Sequence, residues 1–146
     1  RAQVEAYCAS VEIEVEWKSG DRLRTRQVGP ALIRHPRTQE RVWFNHATFF
    51  HVSTLPAAIG GPLSQSFSAR DLPTNTFYAD GGEIEPEVLT TLRDAYLSSL
   101  VRFRWQRGDV LFIDNLLCVH GREPYRAPRR ILTGMAEAQL SRELKE

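Results

Sequence analysis

The stretch that decides the fold is WQRGDVLFIDNLLCVHGREPYRAPRRIL, residues 105–132. Residues 110–114 are an apolar run typical of a buried strand, and His120 follows it. Prolines then bracket a polar loop, and Arg130 leads into a second apolar segment. An antiparallel return would bring His120 and Arg130 to the same mouth of a barrel. The order strand, histidine, loop, arginine, strand suits a metal held beside a carboxylate.

The two adjacent arginines cannot both face such a site. Neighbouring strand residues point to opposite faces of a sheet, so at most one of Arg129 and Arg130 is directed inward. We expect Arg130 to face inward and Arg129 to face away, where Glu123 or Asp114 offers a surface ion pair. A single histidine at a strand end is more often structural than functional, and only its context favours a role for His120.

Composition limits the class of protein. The 146 residues amount to one domain, with 42% hydrophobic and 25% charged residues, which is ordinary globular usage. No apolar run approaches the ~20 residues that span a bilayer, and the start RAQVEAYCAS lacks the features of a signal peptide. Cys8 and Cys118 form no CxxC pair, so we expect a reducing, cytoplasmic setting and no membrane association.

Charge is distributed unevenly along the chain. Residues 102–130 contain seven arginines and three acidic residues, whereas the whole chain has a net charge of only +1. Lysine occurs only at positions 18 and 145. Nucleic-acid binding would favour a larger basic excess that includes lysine, together with interleaved exposed aromatic residues. Arginine without lysine favours bidentate recognition of a small carboxylate.

The first half of the chain predicts strands. Val11, Ile13, Val15 and Trp17 alternate with glutamates, and residues 23–27 alternate with arginines, which predicts an antiparallel hairpin. Its paired charges are expected to form a solvated face. A short strand at 31–33 precedes a turn in which His35 is expected to be exposed and inert.

The aromatic run VWFNHATFFHV, residues 42–52, predicts a further strand whose end turns into a loop. Asn45, His46 and His51 are polar residues among large apolar ones, where burial would demand hydrogen-bond partners. Each of them is more often structural than functional in such a setting. Asn45 is the best candidate to face a pocket.

The second half combines loops, one helix and more strands. Residues 53–83 are rich in Pro, Gly and Ser and predict mainly loop, with helical turns near 56–59 or 63–67. Residues 84–100 predict the one main helix, which packs on a sheet. Strands are expected at 101–105, 110–114 and 131–138, before a polar tail from Gln139. The predicted fold class is therefore mainly β with one main helix, an antiparallel jelly-roll.

Three motifs carry a resemblance to a known family. They are HPRTQERVWFNHATFFHV at 35–52, YADGGEIEPEVL at 78–89 and the long stretch at 105–132. Together they resemble the C-terminal half of the iron(II)- and 2-oxoglutarate-dependent oxygenases of the taurine dioxygenase-like group. The similarity is greater to the syringomycin-type and clavaminate-synthase-like amino-acid hydroxylases. The resemblance implies a double-stranded β-helix core, of the jelly-roll or cupin-like kind, present here in part.

The resemblance also implies roles for particular residues. His120 corresponds to the distal histidine of a two-histidine, one-carboxylate triad for Fe(II), and Arg130 to the arginine that grips 2-oxoglutarate. An arginine fork donates two parallel charge-assisted hydrogen bonds to a carboxylate, which lysine cannot do. With O2 as the second cosubstrate, the implied reaction is hydroxylation of an unactivated C–H bond. Asn45, His46 and Arg122 are the candidates for lining the substrate site.

The proximal half of that triad, a His-X-Asp or His-X-Glu motif, is absent from this sequence. The four histidines read His-Pro-Arg, His-Ala-Thr, His-Val-Ser and His-Gly-Arg, and none has the His-X-Gly or His-X-Ala form of related halogenases. We therefore expect residues 1–146 to be a single domain, the C-terminal part of a jelly-roll oxygenase, and inactive alone. A missing N-terminal segment or a second chain would complete the metal site.

The expected function is hydroxylation of an amino acid, or of an amino-acid-derived intermediate in specialised metabolism, either free or tethered to a carrier protein. One alternative is a non-catalytic jelly-roll that binds a carboxylate ligand or a protein partner and keeps the arginine without the metal. Another is a carbohydrate-binding β-sandwich that uses exposed aromatics such as Trp43 and Phe49, which the arginine-rich loop does not support.

Overall fold

The structure is a computed structural model that describes residues 1–128 and 130–139. Within these residues the helices are α1 (Ala2–Ser10), α2 (Ala47–Phe50), α3 (Ala57–Ser66) and α4 (Pro86–Ser98). The strands are β1 (Ile13–Trp17), β2 (Leu23–Gln27), β3 (Leu32–Arg34) and β4 (Arg41–Trp43). Short 3-10 turns occur at Ser19–Asp21 and Val52–Thr54.

The chain divides into two compact units. The first unit comprises Arg1–Gly29 and His46–Phe103, and the second comprises Pro30–Asn45 and Arg104–Glu146. Each unit contains one two-stranded antiparallel sheet, β1–β2 in the first and β3–β4 in the second. All four helices belong to the first unit.

The β1–β2 hairpin confirms the predicted alternation and pairing. Glu14 lies opposite Arg26 and Glu16 opposite Arg24, so opposite charges face each other across the strands. The turn includes Gly20 at φ 67°, a left-handed conformation that glycine adopts without steric cost. The apolar residues of β1 are half-buried, whereas its glutamates are exposed, as the period of two requires.

The charged face of the hairpin continues to a loop residue, Asp71. Lys18 Nζ lies 3.1 Å from Glu16 and 3.2 Å from Asp71, and Arg24 pairs with both carboxylates. The hydrogen bond from Lys18 is the main cause that lowers the pKa of Glu16, and the bond to Glu16 in turn raises the pKa of Lys18. Glu16 and Asp71 are exposed and Lys18 and Arg24 are half-buried, so water screens the cluster, which is the solvated face that the sequence predicts.

The buried core of the second sheet lies at β3. Ile33 pairs with Val42 and is fully buried, and the bond from Phe44 N to Ala31 O extends the pairing beyond the strand ends. The connecting turn is closed by backbone bonds from His35 N to Glu40 O and from Gln39 N to His35 O.

The strand predicted over residues 42–52 is wrong beyond Trp43, where β4 ends. The chain turns instead into α2, in which His46 O accepts the amides of Phe49 and Phe50. Side chains from other segments bond this helix: the hydroxyl of Thr76 donates to Ala47 O at 2.5 Å and that of Thr54 to Thr48 O. Such distant partners outweigh the β propensity of the aromatic residues.

Residues 53–83 contain more helix than expected. The two turns predicted near 56–59 and 63–67 merge into α3, which begins after Pro56 and continues through Gly60, Gly61 and Pro62. Proline lacks an amide hydrogen and so removes one bond of the helical ladder, yet α3 continues to Ser66. Helix α4 confirms the main predicted helix, with Pro86 in its first turn and Leu89 only 2% exposed.

The strands predicted at 101–105, 110–114 and 131–138 are not formed among the described residues. Apolar side chains there lie in the open: Val110 is 90% exposed, Phe112 97% and Leu132 81%. A strand is stable only when a neighbour pairs with its backbone groups, and the described part of these segments lacks that neighbour. The prediction of a mainly β fold with one main helix is therefore confirmed only in its small antiparallel sheets, β1–β2 and β3–β4. Among the described residues more positions are helical than in strands, because helices α1, α2 and α3 add to α4 and the three later segments find no strand to pair with. A double-stranded β-helix is not confirmed.

No helix within residues 1–128 and 130–139 has the length and apolarity needed to cross a bilayer.

Leu89→Ala should lower the free energy of unfolding by about 2–5 kcal/mol, because it removes a fully buried side chain and leaves a cavity. Leu97→Ala on the same helix is the matched control, since Leu97 is 63% exposed. Chemical denaturation of both variants measures the difference. Equal destabilisation by the two substitutions would contradict the placement of Leu89 in the core.

Candidate functional site

The segment that precedes His120 forms a turn around Asp114. The side-chain Oδ1 of Asp114 accepts the amide of Leu116 at 2.9 Å. Its main-chain oxygen accepts the amides of Leu117 at 3.2 Å and Cys118 at 2.9 Å. An aspartate that bonds the backbone two residues ahead is a common way to begin a turn. Residues 110–114, which form no strand, therefore lead into a turn of residues 114–118 that ends two positions before His120.

The second carboxylate oxygen of Asp114 is bonded to His35. His35 Nε2 lies 3.0 Å from Asp114 Oδ2, and His35 is only 3% exposed. Its Nδ1 accepts the amides of Arg37 at 3.3 Å and Thr38 at 3.0 Å. The expectation that His35 is exposed and inert is thus wrong, because three polar partners satisfy a ring that the fold buries.

The environment of Asp114 favours its ionised form. The amide of Leu116 is the main cause that lowers the pKa of Asp114, and the hydrogen bond with His35 is the next. Both groups donate to the carboxylate, so they stabilise its negative charge. The side chain of Asp114 is 44% exposed, which leaves the pair partly open to solvent on that side.

His120 and Arg130, the two principal candidates, lie in the second unit and are both exposed. Neither side chain makes a hydrogen bond or an ion pair with the residues that the structure describes. Arg129, expected to face away, lies outside the described residues.

The three candidates for a substrate site each have a local partner. Asn45 Nδ2 donates to Pro30 O at 3.3 Å, and the Arg122 guanidinium lies 5.3 Å from the centre of the Tyr125 ring. Asn45 and Arg122 belong to the second unit.

His46 belongs to the first unit, where its ring packs edge-on against two phenylalanines. The ring centroids lie 6.3 Å from Phe49 and 6.0 Å from Phe50. Phe49 is 69% exposed, so this aromatic group lies at the surface. The assignment of Asn45, His46 and Arg122 to a substrate site stays a prediction.

The described residues supply part of a metal site. Across 1–128 and 130–139, no group of three or more His, Cys, Asp or Glu side chains is arranged to hold a metal ion. His120 is an exposed imidazole of the kind that binds iron, and Arg130 is a guanidinium of the kind that binds a carboxylate. His120 therefore fits the role of one metal ligand and Arg130 that of a carboxylate-binding group. The described residues do not supply the remaining metal ligands.

A surface pocket of about 280 Å³ lies in the first unit, beside the 3-10 turn Val52–Thr54 and helix α3. Its lining includes Val52, Ser53, Leu55, Gly60 and Ser64, and none of the five predicted site residues. The predicted site residues therefore lie outside the lining of this pocket.

Sequence reasoning missed the contact between His35 and Asp114. The two residues are 79 positions apart, and no local pattern joins them. The available signals were the histidine at the end of a short strand and the Asp-Asn pair that interrupts an apolar run. Neither signal names the other residue as its partner.

Comparison with known proteins identifies the family of the chain. The model of the family "Taurine catabolism dioxygenase TauD, TfdA family" matches residues 4–136, and the chain belongs to this family. The family resemblance inferred from the three motifs is thereby confirmed.

Two curated relatives extend the comparison. The chain is 36% identical over 137 residues to the dapdiamide synthesis protein DdaC of Enterobacter agglomerans, which covers 94% of this chain and 42% of the relative. It is 27% identical over 126 residues to the clavaminate synthase-like protein At3g21360 of Arabidopsis thaliana, covering 86% of this chain and 35% of that protein. The chain thus spans well under half the length of each. No solved structure gives a significant match.

The carboxyl group of Asp114 should titrate below the ordinary range of aspartate, because its pKa is lowered in the folded state. At a pH above the ordinary pKa of aspartate, the interactions of the ionised carboxylate stabilise the fold. This contribution is lost as the pH falls through the folded-state pKa. NMR titration of the Leu116 amide reports the transition, and Asp114→Asn should abolish it. A transition at or above the ordinary aspartate pKa would contradict the bonded state of this carboxylate.

Proposed function

We propose that the full-length protein containing this chain is an iron(II)- and 2-oxoglutarate-dependent oxygenase. Its reaction would hydroxylate an unactivated C–H bond of an amino acid, or of an amino-acid-derived intermediate in specialised metabolism. The observation that carries the proposal is the family match over residues 4–136, which includes the whole of the stretch at 105–132. That stretch contains the two exposed groups, His120 and Arg130, that such a site needs.

The type of pathway is suggested by a relative. DdaC is named for dapdiamide synthesis, and the similarity to it extends over 94% of the present chain. A role in natural-product biosynthesis is therefore the best-supported setting. The proposed substrate is amino-acid-like, either free or tethered to a carrier protein.

In the proposed site, His120 supplies one imidazole to Fe(II), and the remaining ligands come from a preceding segment of the full-length protein or from a second chain. Arg130 holds the far carboxylate of 2-oxoglutarate through paired N–H donors. When bound, the iron supplies the oxidising chemistry with O2. Asn45, His46 and Arg122 are proposed to contact the substrate.

A jelly-roll core belongs to the same proposal. It is supported by the family match and by the exposed apolar segments at 101–105, 110–114 and 131–138, whose composition suits strands that pair in a larger sheet. A cytoplasmic setting is proposed from cysteine usage, since Cys8 and Cys118 are both free thiols.

His120→Ala in the full-length protein should abolish tight Fe(II) binding and 2-oxoglutarate turnover, because the site loses a ligand that the described residues do not replace. Anaerobic calorimetric titration with Fe(II) measures the first effect and succinate formation the second. His51→Ala removes an imidazole that bonds Ser53 and serves as the control. Unchanged iron affinity in His120→Ala would refute the metal assignment.

Arg130→Ala should weaken 2-oxoglutarate binding by about 2–5 kcal/mol, because it leaves a buried carboxylate without its charged partner in the complex. Arg130→Lys keeps the charge but not the fork, and an intermediate loss is expected. Arg126→Ala, an exposed arginine of the same loop, is the matched control. Equilibrium binding of 2-oxoglutarate measures all three, and equal affinities for Arg130→Ala and Arg126→Ala would contradict the role of Arg130.

A protein that binds 2-oxoglutarate through Arg130 but takes up no iron would instead match the non-catalytic alternative. The same two titrations therefore separate an oxygenase from a carboxylate-binding module.

A further inference from the structure

The bonds of His35 fix the orientation of its ring and the tautomer that it adopts. Its Nδ1 accepts the amides of Arg37 and Thr38, at 3.3 and 3.0 Å, so that nitrogen carries no hydrogen. The hydrogen of the neutral ring must then be on Nε2, which donates to Asp114 Oδ2 at 3.0 Å. Because His35 is 3% exposed, water does not replace these partners. The ring is thus a fixed connector between the turn after β3 and Asp114.

Asp114, which His35 holds in place, in turn bonds the backbone of the residues that follow it. One carboxylate oxygen bonds His35, while the other accepts the amide of Leu116, and the main-chain oxygen accepts the amides of Leu117 and Cys118. The turn of residues 114–118 is therefore built on an aspartate whose side chain is itself held from the opposite side. His120 follows this turn by two residues.

His120 has no hydrogen bond of its own to orient it among the described residues, and its side chain is exposed. A metal ligand nevertheless has to be held within about 0.5 Å of its productive position. Since no side chain in the described part of the chain fixes the imidazole, its direction depends on the backbone that leads to it. That backbone is the turn that Asp114 begins.

We propose that His35 and Asp114 are a positioning pair for His120: the bond from His35 to Asp114 fixes the turn of residues 114–118 and so the direction of the His120 imidazole. The proposal rests on the proposed role of His120 as an iron ligand. Neither His35 nor Asp114 touches the metal, and the pair acts only through the backbone. Residues that orient metal ligands from outside the ligand set typically affect metal affinity by about 10–100-fold.

Two substitutions of His35 separate its two bonds. Glutamine places its amide nitrogen near the position of Nε2, so His35→Gln keeps the donor to Asp114 and loses the acceptor for Arg37 and Thr38. Asparagine places its oxygen near the position of Nδ1, so His35→Asn keeps that acceptor and loses the donor to Asp114. If His35 served only to close its own turn, asparagine would be the better replacement. If His35 holds Asp114, glutamine is the better replacement.

The measurements use the full-length protein. Anaerobic calorimetry gives the dissociation constant for Fe(II), and hydrogen exchange gives the protection of the amides of residues 116–118. We expect His35→Asn to weaken Fe(II) binding by about 10–100-fold and to speed exchange of these amides. His35→Gln should stay close to the unsubstituted protein in both readouts. Equal iron affinities for the two variants, or unchanged exchange in His35→Asn, would overturn the proposal.

Asp114→Asn provides a second variant at a position whose side chain is 44% exposed, so it tests the pair even if the buried position does not tolerate substitution. The side-chain oxygen of asparagine can still accept the amide hydrogen of Leu116. Its NH2 group then faces the Nε2–H of His35, so two donors meet and no hydrogen bond forms. Fe(II) affinity should fall as in His35→Asn. An unchanged affinity would count against the pair.

The His120→Ala variant distinguishes failure of this proposal from failure of the proposed function. If His120→Ala abolishes iron binding while His35→Asn and Asp114→Asn leave it unchanged, His120 is a ligand and the positioning pair is refuted. If His120→Ala leaves iron binding unchanged, the metal assignment itself is refuted, and the positioning role is refuted with it.

Discussion

The hydrogen bond from His35 Nε2 to Asp114 Oδ2 joins residues 79 positions apart in the second unit. Through it, the β3–β4 sheet is connected to the turn that leads to His120. The bond is strong for a physical reason: a buried imidazole with both nitrogens satisfied donates to a carboxylate that is also held by a backbone amide. Without it, a buried donor would have no acceptor, and the turn that leads to His120 would lose its bond to the residue that follows β3.

The predicted jelly-roll strands are not formed among the described residues, and their apolar side chains are exposed. Phe112 is 97% exposed and Val110 90%, although their sequence has the composition of a buried strand. Strand structure depends on hydrogen bonds to a neighbouring chain segment, in contrast to a helix, which bonds within itself. This explains why α4 forms as predicted from its own periodicity. The present chain covers 42% and 35% of the length of two longer relatives.

A feature could be predicted when the residues that stabilise it are close together in the sequence. The β1–β2 hairpin was predictable because its alternation, its turn and its Glu–Arg pairs all lie within 15 residues. Helix α4 carries its own periodicity and its own proline start. The strand predicted for the aromatic run at 42–52 is wrong beyond Trp43, since hydroxyl groups of Thr54 and Thr76 bond the carbonyls of α2 and no strand among the described residues pairs with residues 45–52. The exposure expected for His35 was wrong because its partner is remote.

By itself, the sequence determined the family, the hairpin, the main helix and the two candidate groups His120 and Arg130, because motifs, periodicity and residue chemistry are properties of neighbouring positions. The tertiary structure alone decided that His35 is buried, that Asp114 is its partner, and that residues 114–118 before His120 form a turn held by Asp114. These features depend on which distant groups satisfy a buried donor or pair with a backbone. A one-dimensional pattern carries no information on that choice, and folding makes it through contacts across the chain.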